Sequence, residues 1–340
     1  MKILGAVILS ILSFSFLAAQ NSFLFQKNEV PVTMLHQDKH TWAVTQTTFY
    51  ELGKNEILTA LPLPSKTYTA VSLGNRIYLG TAEGVKYYQL GGTGFSDLLI
   101  PGLKGNRQIN KLAVDERGSL WIGTEFNGTF ELKSDGSIVQ RSQISPAYTI
   151  VCTPGKVWIG TNLGLYELAL AADKWTRYAE EGYSGFELPD NYVEKLFPDK
   201  LGNLWVVMPS NLVFLPIIQE ESHFPTFDYV GSRENELYSI CNLPNQSYLI
   251  ATKDGVIALA AKIAGHEHEA QEEIYTRPKT KGYQAKSETL GAPVVLQQEK
   301  VLTMSEDNKM IWFLTGKGCW SIKTKTLEKN LARVVAPSKS

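Results

Sequence analysis

The sequence predicts an all-β protein, a seven-bladed β-propeller built of four-stranded antiparallel blades. Three observations carry that prediction. A five-residue phrase recurs, as Ile77-Tyr78-Leu79-Gly80-Thr81, Leu120-Trp121-Ile122-Gly123-Thr124 and Val157-Trp158-Ile159-Gly160-Thr161, with weaker copies at Trp42 to Thr45, Trp205 to Met208, Leu249 to Thr252 and Trp312 to Thr315. The aromatic slot of the phrase steps along the chain by 36, 43, 37, 47, 44 and 63 residues, a period that signals a repeat architecture. Between copies, short runs alternate apolar and polar and are broken by Gly, Asn and Asp, the grammar of an antiparallel meander.

Taken in chain order, the first element is a targeting segment. Lys2 precedes an apolar run from Ile3 to Ala19, and Leu17-Ala18-Ala19-Gln20 offers small residues for cleavage. Residues 1–20 therefore read as a secretory signal peptide, with an uncleaved anchor as the rival. Residues 21–340 read as one propeller domain. Asn21 to Asn28, with Phe23-Leu24-Phe25 as a strand, is expected to supply the outer edge of the seventh blade; the alternative is that Leu327 to Val335 completes it.

The third unit shows the blade most fully: Ile109 to Val114, the turn Asp115 to Gly118, Leu120 to Thr124, the turn Glu125 to Gly128, Thr129 to Leu132, then Ser137 to Gln143. The fourth repeats it with Tyr148 to Cys152 and Val157 to Thr161. The fifth does so with Asn191 to Phe197 and Leu204 to Val207. No long amphipathic helix is expected, and Ala169 to Trp175 reads as a turn at most. The longest step holds an insertion at about 263–297, between blades six and seven. A lone meander cannot bury both its faces, so neighbours must stack on it. The Trp slot, on the second strand, is expected to fill the wedge between blades, and the Gly before Thr to let another backbone approach closely.

Composition narrows the function. Of 340 residues 44% are hydrophobic and 20% charged, and the net charge is -1, which speaks against nucleic acid as a partner. No second apolar stretch approaches spanning length, so the mature chain is expected to be soluble, exported to the periplasm or cell surface. Cys152, Cys241 and Cys319 are too few and too scattered for a disulfide framework and read as small buried hydrophobes, with one disulfide as the alternative.

The run Asp115-x-x-Gly118-x-Leu120-Trp121-Ile122-Gly123-Thr124, followed by Gly128, resembles the two-component-regulator propeller repeat, and Val157 to Leu165 matches it nearly as well. The resemblance implies a seven-bladed propeller of the kind found in periplasmic sensor halves of hybrid histidine kinases, often recognising carbohydrate. The seventh unit closes shortly before Ser340, so no kinase transmitter is expected here. What the resemblance leaves is a recognition module for a glycan or a cell-envelope protein.

Loops leaving the second strands and loops entering the next blade share one face of a propeller, and loops on a rigid scaffold carry function. The candidate ligand-binding residues on that face are Arg107, Glu125, Phe126, Asn127, Tyr148, Asn162, Asp190, Asn191, Arg233 and Lys253, joined by Lys279, Lys281 and Tyr283 of the insertion, whose basic half suits an anionic partner. No cofactor is expected. His266 and His268 lie two apart but lack a convincing third ligand, so no metal is expected either. Catalysis has little support: there is no Gly-x-Ser-x-Gly elbow and no phosphate-cradling loop. The carboxylate pairs Asp115-Glu116 and Glu306-Asp307 fall on the opposite face. A lyase or glycosidase, or a structural scaffold of an envelope complex, is the alternative.

Overall fold

The computed structural model describes residues 21–25, 29–180, 188–216, 226–227, 236–245, 247–253, 255–259, 300–307 and 309–335. The 1–20 segment, the insertion, Arg233, Lys279, Lys281 and Tyr283 lie outside the described residues. Seven antiparallel sheets follow one another as blades. Blade 1 holds β2 (Pro31–Gln37), β3 (His40–Thr45), β4 (Thr48–Leu52) and β5 (Ile57–Pro62). Blade 2 holds β6 (Thr67–Leu73), β7 (Arg76–Thr81), β8 (Gly84–Gln89) and β9 (Phe95–Leu98). Blade 3 holds β10 (Ile109–Val114), β11 (Leu120–Thr124), β12 (Thr129–Leu132) and β13 (Ile138–Ser142). Blade 4 holds β14 (Thr149–Thr153), β15 (Lys156–Thr161), β16 (Gly164–Ala169) and β17 (Lys174–Tyr178). Blade 5 holds β18 (Lys195–Pro198), β19 (Leu204–Val207), β20 (Leu212–Leu215) and β21 (Thr226–Phe227). Three strands of blade 6 are described, β22 (Leu237–Asn242), β23 (Tyr248–Thr252) and β24 (Gly255–Leu259).

Blade 7 closes the ring. Its sheet order is β1-β27-β26-β25, so β1 (Asn21–Leu24) from the start of the chain pairs with β27 (Gly318–Lys323), beyond β26 (Met310–Thr315) and β25 (Val301–Glu306). Phe23 lies opposite Cys319 and stacks on Trp312 at 6.2 Å; Phe25 stacks on Tyr50 of blade 1 at 4.9 Å. Just beyond, the buried Glu29 carboxylate accepts hydrogen bonds from the hydroxyls of Thr45, Thr47, Thr48 and Tyr50, at 2.5 to 3.2 Å, and pins the strap to blade 1. The stretch after β27 departs from expectation. Instead of a fourth strand or a loop it forms helix α1 (Thr324–Val335). Leu327 is buried against blades 6 and 7, and Glu328 accepts from the Asn245 amide at 3.0 Å. The spacing of Leu327, Leu331 and Val334 is helical, but in a chain of strand repeats it was overshadowed by the period-two signal.

The repeated phrase explains the packing. The described core divides into seven clusters, and each joins two neighbouring blades through the aromatic slot. Trp42 meets Ala70, Ile77 and Leu79; Tyr78 meets Ile109 and Leu112; Trp121 meets Ala147 and Ile150; Trp158 meets Val193 and Leu196; and Trp205 meets Ile240 and Tyr248. Leu249 stands in for the ring between blades 6 and 7, and Trp312 meets Met34 and Ala43 of blade 1. The buried indole N–H is satisfied locally: Trp121 Nε1 donates to Asp115 at 3.0 Å, Trp158 Nε1 to Thr153 at 2.9 Å and Trp312 Nε1 to Asp307 at 3.1 Å. In blade 3 the acceptor is the Asp of the Asp-x-x-Gly turn. Asp115 also accepts from the Ser119 and Arg117 amides and from the Arg117 guanidinium.

The Gly-Thr pair has two separate tasks. A Cβ on Gly80 would lie 2.4 Å from Thr69 Cγ2 and 2.7 Å from Ile109 Cγ2, and one on Gly160 2.5 Å from Val193 Cγ1. The close approach is thus made not by another backbone, as expected, but by side chains from the first strand of the same blade and from the next blade. The following Thr is buried and folds the hairpin: its hydroxyl donates to the carbonyl of Gly84, Gly128, Gly164, Gly255 or Gly318, at 2.7 to 3.2 Å. All three cysteines are free thiols, and burial pushes each up to about 12.

Candidate functional site

The innermost strands share a local feature that builds the site. In β2, β6, β10, β22 and β25 the pairing slips by one residue near the strand start, at Val32, Tyr68, Asn110, Tyr238 and Leu302. Blades 4 and 5 do the same just ahead of the strand, where both Tyr148 and Thr149 face Gly160, and both Glu194 and Lys195 face Val207. A β-bulge re-aims side chains at such a point. The extra residues of blades 2 to 5, namely Tyr68, Asn110, Tyr148 and Glu194, together with Glu125, Tyr192 and Lys195, line one open cavity of about 350 Å³ at the mouth of the central channel.

The cavity combines flat rings with hydrogen-bonding groups. Tyr148 and Tyr192 lie 4.8 Å apart at an interplanar angle of 38°. Burial first, then the hydrogen bond with Tyr192 and the nearby Glu125 charge, push the Tyr148 phenol up to about 12, so it is protonated at neutral pH. Asn110 Nδ2 donates to Glu125 Oε2 at 2.6 Å and to the Ala147 carbonyl at 3.3 Å, which fixes the Glu125 carboxylate across two blades. Lys66 sits over the Tyr68 ring at 5.3 Å. Lys195 Nζ donates to the Leu237 carbonyl at 2.7 Å and lies 5.6 Å from the centre of the Tyr238 ring, over which Lys300 sits at 4.2 Å. Burial lowers the Lys195 ammonium below the usual lysine range, against the raising influence of Glu194 and Glu236.

Of the expected site residues, Glu125 and Tyr148 line this cavity. The others described share the face without entering it. Asn127 ties loops together, accepting from the Lys104 amide and donating to the Asn106 carbonyl; Asp190 accepts from the Tyr192 amide and Asn191 from the Glu180 amide. Arg107, Asn162 and Lys253 are exposed, as is Phe126, at 61%. Sequence reading missed Tyr68, Asn110, Tyr192, Glu194 and Lys195. A second repeated phrase would have found four of them: an inward residue, a variable residue, a Thr, Ser or Lys, then an apolar residue, as in Thr67-Tyr68-Thr69-Ala70, Ala147-Tyr148-Thr149-Ile150 and Val193-Glu194-Lys195-Leu196. No group of three or more potential metal ligands is found among the described residues. No helix among them is long and apolar enough to cross a membrane.

Comparison with known proteins agrees with the fold. The family model for the two-component regulator propeller matches residues 102–126. No curated protein sequence matches the chain. The extracellular domain of the one-component system BT4673 from B. thetaiotaomicron superposes with a TM-score of 0.60 at 16% identity, covering 89% of this chain and 40% of that one. The chain thus spans about two fifths of that relative's length. A catalytically inactive virginiamycin B lyase from Staphylococcus aureus, solved with quinupristin, gives 0.63 at 12% identity, covering 89% of this chain and 98% of the lyase. YCF48 bound to D1 peptide gives 0.60 at 13% identity, covering 88% and 93%. Residues 102–126 thus match the two-component regulator propeller repeat, within a chain folded as a seven-bladed β-propeller.

Proposed function

We propose that this protein is an exported recognition module that binds a saccharide at the mouth of its central channel without cleaving it. The observation that carries the reading is the cavity itself, where Tyr68, Tyr148 and Tyr192 stand among Asn110, Glu125, Glu194 and Lys195. Sugar rings present apolar C–H faces that pack on aromatic rings and hydroxyls that need convergent donors and acceptors, and this lining offers both. Tyr148, with its phenol pushed up to about 12, stays protonated and can donate to a sugar hydroxyl. Export is supported by the apolar run from Ile3 to Ala19 and by the likeness to an extracellular domain.

A peptide partner is the second reading, favoured by the exposed Phe126 and Leu163 on the same face, 61% and 48% accessible. The test is a glycan array followed by product analysis of the bound sugars. The expected result is retention of particular glycans with no new reducing end and no unsaturated sugar, and a loss of about tenfold in affinity in Tyr148→Ala. Release of a cut product would make the site an enzyme. Binding unaffected by Tyr148→Ala would place it elsewhere.

A further inference from the structure

The ring closes at one seam, where β2 of blade 1 packs against β25 and β26 of blade 7, and His36 sits in that seam. It follows Leu35, the ladder partner of Trp42. The same slot holds Val114 in blade 3 and Cys152 in blade 4, so the packing of a wedge does not call for an imidazole. The His36 ring lies 5.9 Å from the Trp312 ring of blade 7, and its side chain is 16% exposed. Nδ1 is 3.3 Å from Thr41 Oγ1 and 3.9 Å from Asp307 Oδ2. With a hydroxyl and a carboxylate on that side, Nδ1 is the nitrogen that carries the proton of the neutral ring. Nε2 is buried and has no hydrogen-bond partner among the described residues.

The charged groups facing the ring are already engaged. Asp307 Oδ1 accepts from the Lys309 and Met310 amides, at 3.3 and 2.9 Å, and Oδ2 accepts from Trp312 Nε1 at 3.1 Å. Glu306 accepts from Lys200 of blade 5 through Oε2; its Oε1 is buried without a partner and out of reach of Nε2. His40, on the same hairpin, pairs with Glu51 at 2.9 Å and stacks on Trp42 at 5.5 Å, within blade 1. A second proton on His36 therefore places an N–H where no acceptor meets it and a charge where little solvent reaches. Burial accordingly lowers the imidazole below the usual histidine range, outweighing the pull of Asp307 and Glu306 in the other direction.

We propose that His36 makes the seam between blades 7 and 1 an acid-sensitive latch: the wheel is shut while the imidazole is neutral, and its protonation loosens β2 from β25 and β26 while blades 2 to 5 stay folded. Since the folded seam favours the neutral ring, the contribution of His36 is present in full above the unfolded pKa, about 6.5, and is lost as the pH falls through the folded one. Carboxylates such as Asp115 act in a lower window.

The test is hydrogen exchange of the whole protein by mass spectrometry at about pH 7.5 and about pH 5.5, corrected for the intrinsic pH dependence of exchange. Protection of β2, β25 and β26 is expected to fall several-fold, by about tenfold at most for a single imidazole, while β10 to β12 of blade 3 keep theirs. His36→Phe, which retains a ring beside Trp312, should abolish the loss, and His40→Gln should leave it in place. In the native protein, NMR titration should put the His36 imidazole below about 6.5. A value at or above that overturns the latch. So does an equal loss of protection in blade 3, a loss that persists in His36→Phe, or one that disappears in His40→Gln.

Discussion

Removing residues 21–28 is expected to open the ring and cost most of the protein's stability. The deletion takes away β1, which pairs with β27 through Asn21 and Ser321, Ser22 and Trp320, Phe23 and Cys319, and Leu24 and Gly318. It also removes two buried rings, Phe23 at 4% accessibility and Phe25 at 9%. A Phe to Ala truncation in a core costs about 3–5 kcal/mol, so the two rings alone come to about 6–10 kcal/mol, within the range of the whole folding free energy of a domain. The melting temperature followed by circular dichroism should fall by on the order of 10 °C or more. Phe23→Ala alone should give about half the loss, and Leu24→Ala, at a side chain 77% exposed, nearly none. Gly318→Ala attacks the same contact from the other side, because its Cβ would lie 2.0 Å from the Phe23 carbonyl oxygen. A shift below about 2 °C for the deletion would refute the reasoning, since blade 7 would then be stable on β25 to β27 and α1 without the strap.

Two further outcomes follow from the repeated phrase. Gly160→Ala should destabilise by about 1–3 kcal/mol in urea titrations, and by more than Gly123→Ala. At 160 the new methyl meets two stiff β-branched residues, Val193 at 2.5 Å and Thr149 at 2.6 Å, whereas at 123 the closest atom is the mobile Cδ1 tip of Ile150 at 2.8 Å. Asp115 should contribute to acid unfolding. Burial raises its pKa, but the hydrogen bonds from Trp121, Ser119 and Arg117 outweigh burial and hold the carboxyl below the usual range. The folded value being the lower one, its contribution is present above the unfolded pKa and is lost as the pH falls through the folded one. Asp115→Ala should therefore flatten the pH dependence of stability on the acid side and leave the protein weaker by about 1–3 kcal/mol at pH 7, with the Trp121 N–H stranded.

The fold was legible because the residues that build it repeat. Trp, Gly and Thr occupy the same slots for the same physical reasons in blade after blade: a ring for the wedge, no Cβ where the next strand presses in, and a hydroxyl to close the hairpin. The closing strand was legible too, as an apolar run at Phe23 to Phe25 with nothing else to pair with. The site was only half legible, for the converse reason. Tyr68, Asn110, Tyr148 and Glu194 share one structural position but not one residue type, so only the residues flanking them recur, a fainter signal than the Trp-Ile-Gly-Thr phrase. Loop residues such as Asn127 and Asn191 look like ligand groups in a sequence, but Asn127 uses its amide oxygen and nitrogen, and Asn191 its amide oxygen, to hold neighbouring loops. Helix α1 was hidden because a short stretch of helical Leu spacing carries little weight beside the strands that fill the rest of the described chain.

The pairing of β1 with β27 also sets an order of events during synthesis. The first strand to leave the ribosome has no partner until residues 318–321 exist, nearly the whole chain later. Blades 1 to 5 can fold from sequence neighbours as they emerge, but Phe23 must wait with its edge unpaired, and the last step is a closure between distant ends, the slowest kind of contact to form. Any partner that holds an extended apolar strand would find its target in that interval and lose it once the wheel shuts.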